Sequence, residues 1–238
     1  MGGAQRAFKA NWTKPGMLSI IIPTYNEAAN IRRLIEELAV ATAGLQSEVI
    51  VVDDNSQDGT AALAESCKAM PVRVVRRAGK MGLASAVVDG AKQAHGDIMV
   101  VIDADLSHPP SKVPELVTAL NNADIAVGSR YAAGGGITNW PATRRITSKG
   151  ATLIARTIFG LPVRDPVSGF FAVRRDLFLR TPVDVQGYKI LLNLLVKNPA
   201  AKVAEVPFVF TNRKVGKSKL GVKEITNYVK DVRKLLSR

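Results

Sequence analysis

In the first two-thirds of the chain, short apolar runs rich in β-branched residues alternate with stretches whose apolar residues recur at helical spacing. Leu18–Ile22, Val49–Val52, Val72–Val75, Ile98–Ile102 and Ile125–Val127 read as strands, the first stopping at Pro23. Between them, Asn30–Val40 carries Ile31, Leu34, Ile35 and Leu38 on one face. A small-residue stretch from Asp58-Gly59-Thr60 towards Lys68, then Leu83–Ala94 and Val113–Leu120, also read as helices. Strands that are apolar on both faces and separated by helices predict an α/β fold, a mostly parallel sheet with helices on both sides. Such sheets bind ligands beyond the carboxyl ends of their strands. Three polar clusters fall there: Thr24-Tyr25-Asn26-Glu27, Asp53-Asp54-Asn55-Ser56 and Asp103-Ala104-Asp105.

After Tyr131 the texture changes. Ala132–Thr138 is glycine-rich and predicts a mobile active-site flap. Arg144–Phe159 and Tyr188–Val196 read as helices, Phe170–Val173 as a strand and Val203–Phe210 as an extended segment. No repeat or linker divides the chain, and 238 residues suffice for one sizeable core. No apolar run approaches the ~18–20 residues that span a bilayer, and the first residues lack the apolar stretch of a secretory leader. The single cysteine, Cys67, excludes an intrachain disulfide framework and a cysteine-rich zinc site, and reads as a packed core thiol. The net charge of +13 calls for a polyanionic partner. From Thr211 to Arg238 nine cations face two anions, so +7 of that charge lies in the last 28 residues. Val222, Ile225, Val229, Val232 and Leu236 make that tail a basic amphipathic helix, docked on the body or lying on an anionic membrane.

Asp103-Ala-Asp105, at the end of a buried strand, is the sharpest chemical signal. Two adjacent carboxylates at a water-excluded edge repel unless they share a cation. A hard divalent ion, Mg²⁺ or Mn²⁺, completed by phosphate oxygens, meets that need. Glu27 and Asp53-Asp54 at neighbouring strand ends strengthen it. Other candidates read as structural. His95 stands at a helix end, and His108, followed by Pro109 and Pro110, shapes a loop. Lys189 is a helix-end residue or a phosphate ligand. Gly134-Gly135-Gly136 lacks the Gly-Lys-Ser/Thr of a P-loop, and Ser168 lacks a nucleophile elbow.

Taken together, Pro23-Thr-Tyr-Asn-Glu27, Val51-Val-Asp-Asp-Asn-Ser-Gln-Asp-Gly-Thr60, Asp103-Ala-Asp-Leu-Ser-His-Pro-Pro110 and Gly128-Ser-Arg-Tyr131 resemble the family 2 GT-A glycosyltransferases. Asp165-Pro-Val-Ser-Gly-Phe170, Gly187-Tyr-Lys-Ile-Leu-Leu192 and Phe210-Thr-Asn-Arg-Lys-Val-Gly-Lys-Ser-Lys219 narrow the resemblance to the dolichol-phosphate (polyprenyl-phosphate) mannose synthases. The resemblance implies a GT-A catalytic domain over 17–220, an N-terminal extension over 1–16 and the basic helix over 221–238. It implies that Pro23, Tyr25, Glu27, Val52, Asp53, Asp103, Ala104 and Asp105 bind the nucleotide. Asp103, Asp105 and Ser107 would bind the metal, Ser107 replacing a longer glutamine. Arg130, Arg144, Ser148, Arg213 and Lys219 would hold the acceptor phosphate, with Asp105 and Arg130 catalytic. Asn193 stands where the family often has glutamate.

The implied reaction is metal-dependent, inverting transfer of mannose from GDP-mannose to dolichyl or polyprenyl phosphate, with UDP-glucose or another nucleotide sugar as the alternative donor. A lipid monophosphate is largely dianionic at neutral pH. It therefore needs positioning and charge neutralisation rather than a general base. The competing class, a non-catalytic polyanion binder, leaves the acidic residues at three strand ends unexplained, so no nucleic-acid partner is expected. Without a spanning segment, the expected location is cytoplasmic and peripheral, at the cytoplasmic face of a membrane, through the basic tail, a small membrane subunit or both.

Overall fold

The computed structural model describes residues 16–183, 185, 189–211, 232 and 235. Its elements, in chain order, are β1 (Leu18–Thr24), α1 (Ile31–Ala41), β2 (Ser47–Asp53), α2 (Thr60–Ser66), β3 (Val72–Arg76), α3 (Leu83–Gln93) and β4 (Ile98–Val101). There follow a 3₁₀ turn (Pro110–Lys112), α4 (Val113–Ala119), β5 (Ile125–Ser129), β6 (Gly136–Thr138) and α5 (Ala142–Phe159). The last are β7 (Phe171–Arg174), α6 (Arg175–Arg180), α7 (Ile190–Lys197), β8 (Val203–Pro207) and β9 (Val209–Thr211).

Seven strands form one sheet in the order β3-β2-β1-β4-β7-β5-β8. All neighbours are parallel except β7, which runs antiparallel between β4 and β5. Strand alternation sorts the apolar residues onto two faces. Ile20 and Ile22 of β1 and Val49 and Val51 of β2 point into a layer with α1, α2 and α4. Ile21, Ile50 and Val52 point the other way, into a layer with α3, α6 and α7. Both layers are dry, which is why these strands are apolar on both sides.

The topology fixes where a ligand can sit. From β1 the chain winds outward through β2 to β3, then returns to place β4 on the other side of β1. The crevice between the carboxyl ends of β1 and β4 is the switch point at which such sheets bind ligands. The Thr24–Glu27 and Asp103–Asp105 clusters open onto it.

Three sequence expectations change. The first strand continues through Pro23 to Thr24, Pro23 pairing with Val52. The ladder to β4 ends at Ile21, so proline's missing N–H costs no bond on that side. The glycine-rich segment is not a free flap, because its end forms β6, paired with β9. Gly136 N–H donates to the Phe208 carbonyl and Phe208 N–H to the Ser129 carbonyl, fastening it to the end of β5. The extended stretch 203–210 is two strands broken at Phe208. The tail lies almost wholly outside the described residues, but Val232 and Leu235 are helical and buried, Leu235 within the α3/α6/α7 layer. Leu235 was not among the stripe read from the sequence.

Gly128 in β5 is required by close approach. A Cβ there would lie 2.6 Å from Phe170 Cδ1 and 3.0 Å from the Phe170 carbonyl oxygen. Gly128→Ala is expected to destabilise the fold by about 1–3 kcal/mol through overpacking, read as a lowered denaturant midpoint. An unchanged midpoint contradicts the packing.

Candidate active site

The site begins with turns that end parallel strands. Asn26 and Asn55, two residues beyond β1 and β2, take the left-handed backbone conformation (φ 56° and 60°), which asparagine tolerates. Asn26 locks the two loops together: Gln57 N–H donates to Asn26 Oδ1 at 3.1 Å and Asn26 N–H to Ser56 Oγ at 2.8 Å. Glu27 N–H donates to Thr60 Oγ1 at 2.8 Å, and the Glu27 carboxylate accepts from Asn30 Nδ2 at 3.0 Å. Tyr25 carries the Lys80 ammonium 4.3 Å from its ring centroid.

Asp53 is buried and works inside the fold. Its carboxylate accepts from Thr24 Oγ1 (2.9 Å), Ser56 N–H (2.9 Å) and Ser56 Oγ (2.6 Å). Its neighbour Asp54 takes the buried Arg77 guanidinium and the Gly82 N–H, the latter at 3.0 Å. Arg77, a residue the sequence did not single out, thereby ties the end of β2 to the start of α3. The side chains of Val52 and Ala104 lie in the core, so any nucleotide contact from them is a main-chain one. Pro23, half-buried, pairs with Val52 one step before the β1–β2 ladder ends at Thr24 and Asp53.

Beyond β4, Leu106 also has a positive φ of 59°, an unfavourable conformation for a bulky residue. The strained turn folds Ser107 back onto Asp105, whose Oδ1 accepts from Ser107 Oγ at 2.5 Å and from Ser107 N–H at 3.1 Å. Ser107 thus orients a carboxylate. His108 follows, buried in an aromatic wall: stacked on Phe170 at 5.2 Å and edge-on to Phe208 and Phe210, each at 5.5 Å. Burial pushes its pKa down to about 4, with Asp105 and Asp165 pulling upward and Arg130 pushing down. The ring is neutral at pH 7, and its Nδ1 accepts from the Asp103 N–H at 3.3 Å. His108 therefore sets the backbone of the acidic pair, a firmer role than loop shape.

The donor set fits a divalent ion shared with a substrate. Asp103 and Asp105 offer hard carboxylate oxygens at the mouth of the crevice. Among the described residues no group of three or more His, Cys, Asp or Glu side chains could hold a metal alone. Carboxylates that hold Mg²⁺ through one or two contacts ordinarily leave its remaining positions to water and phosphate oxygens.

Arg130 sits across from this pair. Its Nε and Nη2 each donate to Asp165 at 2.8 Å, and its N–H at 3.0 Å. Asp165 is wholly buried. Burial opposes the charge on Arg130, but Asp165, Tyr131 and Asp103 together hold its pKa above the ordinary arginine value. The Asp103 contribution places the guanidinium within electrostatic reach of the acidic pair. Glu205 of β8 in turn accepts from Arg164 N–H and Asp165 N–H at 3.0 and 3.2 Å. Asp165 opens the Asp165–Phe170 motif, yet nothing in the sequence marks it as the counter-ion of Arg130.

The remaining cations approach along α5. Arg144 lies 4.0 Å over the Trp140 ring, and Ser148 is hydrogen-bonded through Oγ to the Tyr131 hydroxyl at 2.9 Å. The structure thus brings together Asp103, Asp105, Ser107, Arg130, Arg144 and Ser148. Arg213 and Lys219 lie outside the described residues, as do Gly187 and Tyr188. Lys189 is half-buried before α7, and the buried Asn193 donates its amide to the Pro182 carbonyl at 3.0 Å. His95 is largely exposed at the end of α3, beside Glu48 at 3.3 Å, and Cys67 is buried as expected.

The family described as "Glycosyl transferase family 2" matches residues 19–180. A dolichol-phosphate mannosyltransferase of Pyrococcus furiosus is 45% identical over 92% of this chain, which spans 63% of that protein's length. One from Mycosarcoma maydis is 39% identical over 90% of this chain and 77% of the relative. Among solved structures, a Mycobacterium tuberculosis glucosyl-3-phosphoglycerate synthase in complex with Mn²⁺, uridine diphosphate and glucosyl-3-phosphoglycerate superposes with a TM-score of 0.69. At 23% identity it covers 93% of this chain and 78% of its own, and it bears out the GT-A-like α/β fold.

Asp165→Asn keeps the shape of the side chain but strands a buried guanidinium. The expected loss is about 3–5 kcal/mol of stability, measured by guanidinium unfolding. A loss under about 1 kcal/mol contradicts the assigned pairing.

Proposed function

The chain belongs to glycosyl transferase family 2, and from that premise we propose that it transfers mannose from GDP-mannose to dolichyl or polyprenyl phosphate with inversion. The catalytic unit is residues 17–220, flanked by an extension over 1–16 and a basic helix over 221–238. The observation that carries the reading is the pairing of opposites at one sheet edge: Asp103 and Asp105 on one side, Arg130 with Arg144 behind it on the other. A diphosphate donor and a monophosphate acceptor repel each other, and a site that joins them needs this division of charge. The names of the relatives support the lipid-phosphate acceptor and the mannosyl group.

In this reading Tyr25 and Glu27, with the main chain at Pro23 and Val52, hold the nucleoside, and Asp53 braces the loop that carries them. Asp103 and Asp105, steadied by His108 and Ser107, would hold Mg²⁺ or Mn²⁺ against the diphosphate, where such an ion neutralises the charge of the leaving group. Arg130, Arg144 and Ser148, joined by Arg213 and Lys219, receive the acceptor phosphate. One of its oxygens forms the new bond to the anomeric carbon as the bond to the GDP oxygen breaks, and GDP leaves with the electron pair. The acceptor arrives already ionised, so no side chain need take a proton. The buried cation opposite holds the anion in line, the form of catalysis that positioning and fixed charge supply.

The acceptor lipid implies a membrane surface, and α5 provides a face for one. Ile146 and Leu153 are 71% and 62% exposed, and Ile154 and Ile158 are exposed beside them, opposite the buried Thr152 and Ala155. The helix contains Arg144, Arg145, Lys149 and Arg156 and no acidic residue. An outward face that is apolar and flanked only by cations suits an anionic bilayer, with Arg144 and Ser148 carried at headgroup level. No helix among the described residues is long and apolar enough to cross a membrane.

Asp105→Ala is expected to lower mannosyl transfer about a hundredfold or more while leaving thermal unfolding near wild type. Product lipid is followed with GDP-mannose, polyprenyl phosphate and Mn²⁺. Wild-type turnover of UDP-glucose in preference to GDP-mannose overturns the donor, and near-normal turnover by the variant overturns the site. Leu153→Glu combined with Ile154→Glu is expected to reduce cosedimentation with phosphatidylglycerol vesicles several-fold. Unchanged partitioning, or a solution dimer that the double variant dissociates, contradicts the membrane-facing role of α5.

A further inference from the structure

The indole of Trp140 has a feature its role in packing leaves unexplained. The residue is only 8% exposed, and its Nε1–H, sealed from water, has no hydrogen-bond partner among the described residues. Buried donors are nearly always paired, so an orphan one marks a missing acceptor. Its surroundings say what kind. The Arg144 guanidinium lies 4.0 Å from the ring centroid and that of Arg130 5.8 Å from it, while Phe210 closes the ring edge-on at 5.1 Å. Arg130 is already met by Asp165, but both guanidiniums give the ring a cationic surrounding, so the acceptor its N–H lacks is an oxyanion rather than a neutral group. An oxyanion at that site gives the indole N–H the acceptor it lacks. The preceding residue, Asn139, holds a left-handed backbone at φ 58°, so the chain is bent where it delivers Trp140 to this position.

Building on the acceptor-phosphate reading above, we propose that Trp140 is a positioning residue of that subsite: its ring sets Arg144 opposite Arg130, and its N–H takes a phosphate oxygen of the incoming lipid monophosphate. The N–H is sealed in the resting chain, so this bond forms only as the acceptor enters.

The chain has two tryptophans, Trp12 and Trp140, so W12F leaves Trp140 as the sole indole reporter. Titrating W12F with geranyl phosphate, a short monophosphate, is expected to shift Trp140 emission, whereas geraniol leaves it unmoved. Inorganic phosphate tests whether the headgroup alone suffices. In the full chain with its own indole at position 12, W140F, which keeps a ring but loses the N–H, is expected to raise the acceptor KM about tenfold. W140L, which also loses the cation–π contact, raises it further. In W140F, kcat and the KM for GDP-mannose should stay within about twofold and the unfolding midpoint near wild type. An unchanged acceptor KM in W140F, or an emission that ignores geranyl phosphate while wild-type transfer proceeds, overturns this inference alone. A wild-type chain that transfers nothing to any polyprenyl phosphate overturns the acceptor reading and this inference with it.

Discussion

Asp165 has no contact with water, and the guanidinium it faces on Arg130 is itself nearly buried, joined by two parallel 2.8 Å bonds. Neither charge is tolerable there without the other. The pair links the end of β5 to the loop before β7, and β7 is the one strand that runs against the sheet, between β4 and β5. Through Phe170 the same loop supports His108, and through His108 the backbone of Asp103. A single ion pair therefore spaces the cationic half of the site from the acidic half. It also gives a reason for the antiparallel insertion: a strand reversed at that position brings a loop back to the carboxyl edge, where a counter-ion is needed.

The acidic half is organised by groups that carry no charge. His108 is held neutral by burial, and its acceptor nitrogen and Ser107's hydroxyl fix Asp103 and Asp105 without competing with them for positive charge. The cost is the left-handed Leu106, an unfavourable backbone kept where two carboxylates must be turned to one side. Asp53 and Asp54, equally prominent in the sequence, spend their charge on Ser56, Thr24 and Arg77 and brace the loops.

Much of the fold was legible because burial and secondary structure act through the same residues. Five strands and their helices were readable from runs such as Val49–Val52 and the Ile31/Leu34/Ile35/Leu38 face, and the structure places them within a residue or two. What escaped was decided by distant partners. Nothing near Gly136 announces a strand, since its partner Val209 is over seventy residues away. The short helix α6 gave no periodic signal of its own. At the site, Asp103 and Asp105 stood out because adjacent acids at a strand end are locally odd. Asp165 and Arg77 did not, because each owes its role to a residue far along the chain, and Trp140 did not, because nothing in its neighbours shows that its buried N–H lacks an acceptor. The outward face of α5 was likewise hidden, since a helix with apolar residues on two sides looks merely hydrophobic until its buried side is known.

The central claim is that Asp103 and Asp105 face a nucleoside diphosphate while Arg130 and Arg144 face a monophosphate. Anomalous scattering from crystals grown with Mn²⁺, GDP and geranyl phosphate tests it most directly. The account predicts a manganese peak between the Asp103 and Asp105 carboxylates and the diphosphate, with the separate phosphate beside Arg144 and Trp140. Diphosphate bound elsewhere, with the Asp103/Asp105 crevice lacking manganese, would contradict it.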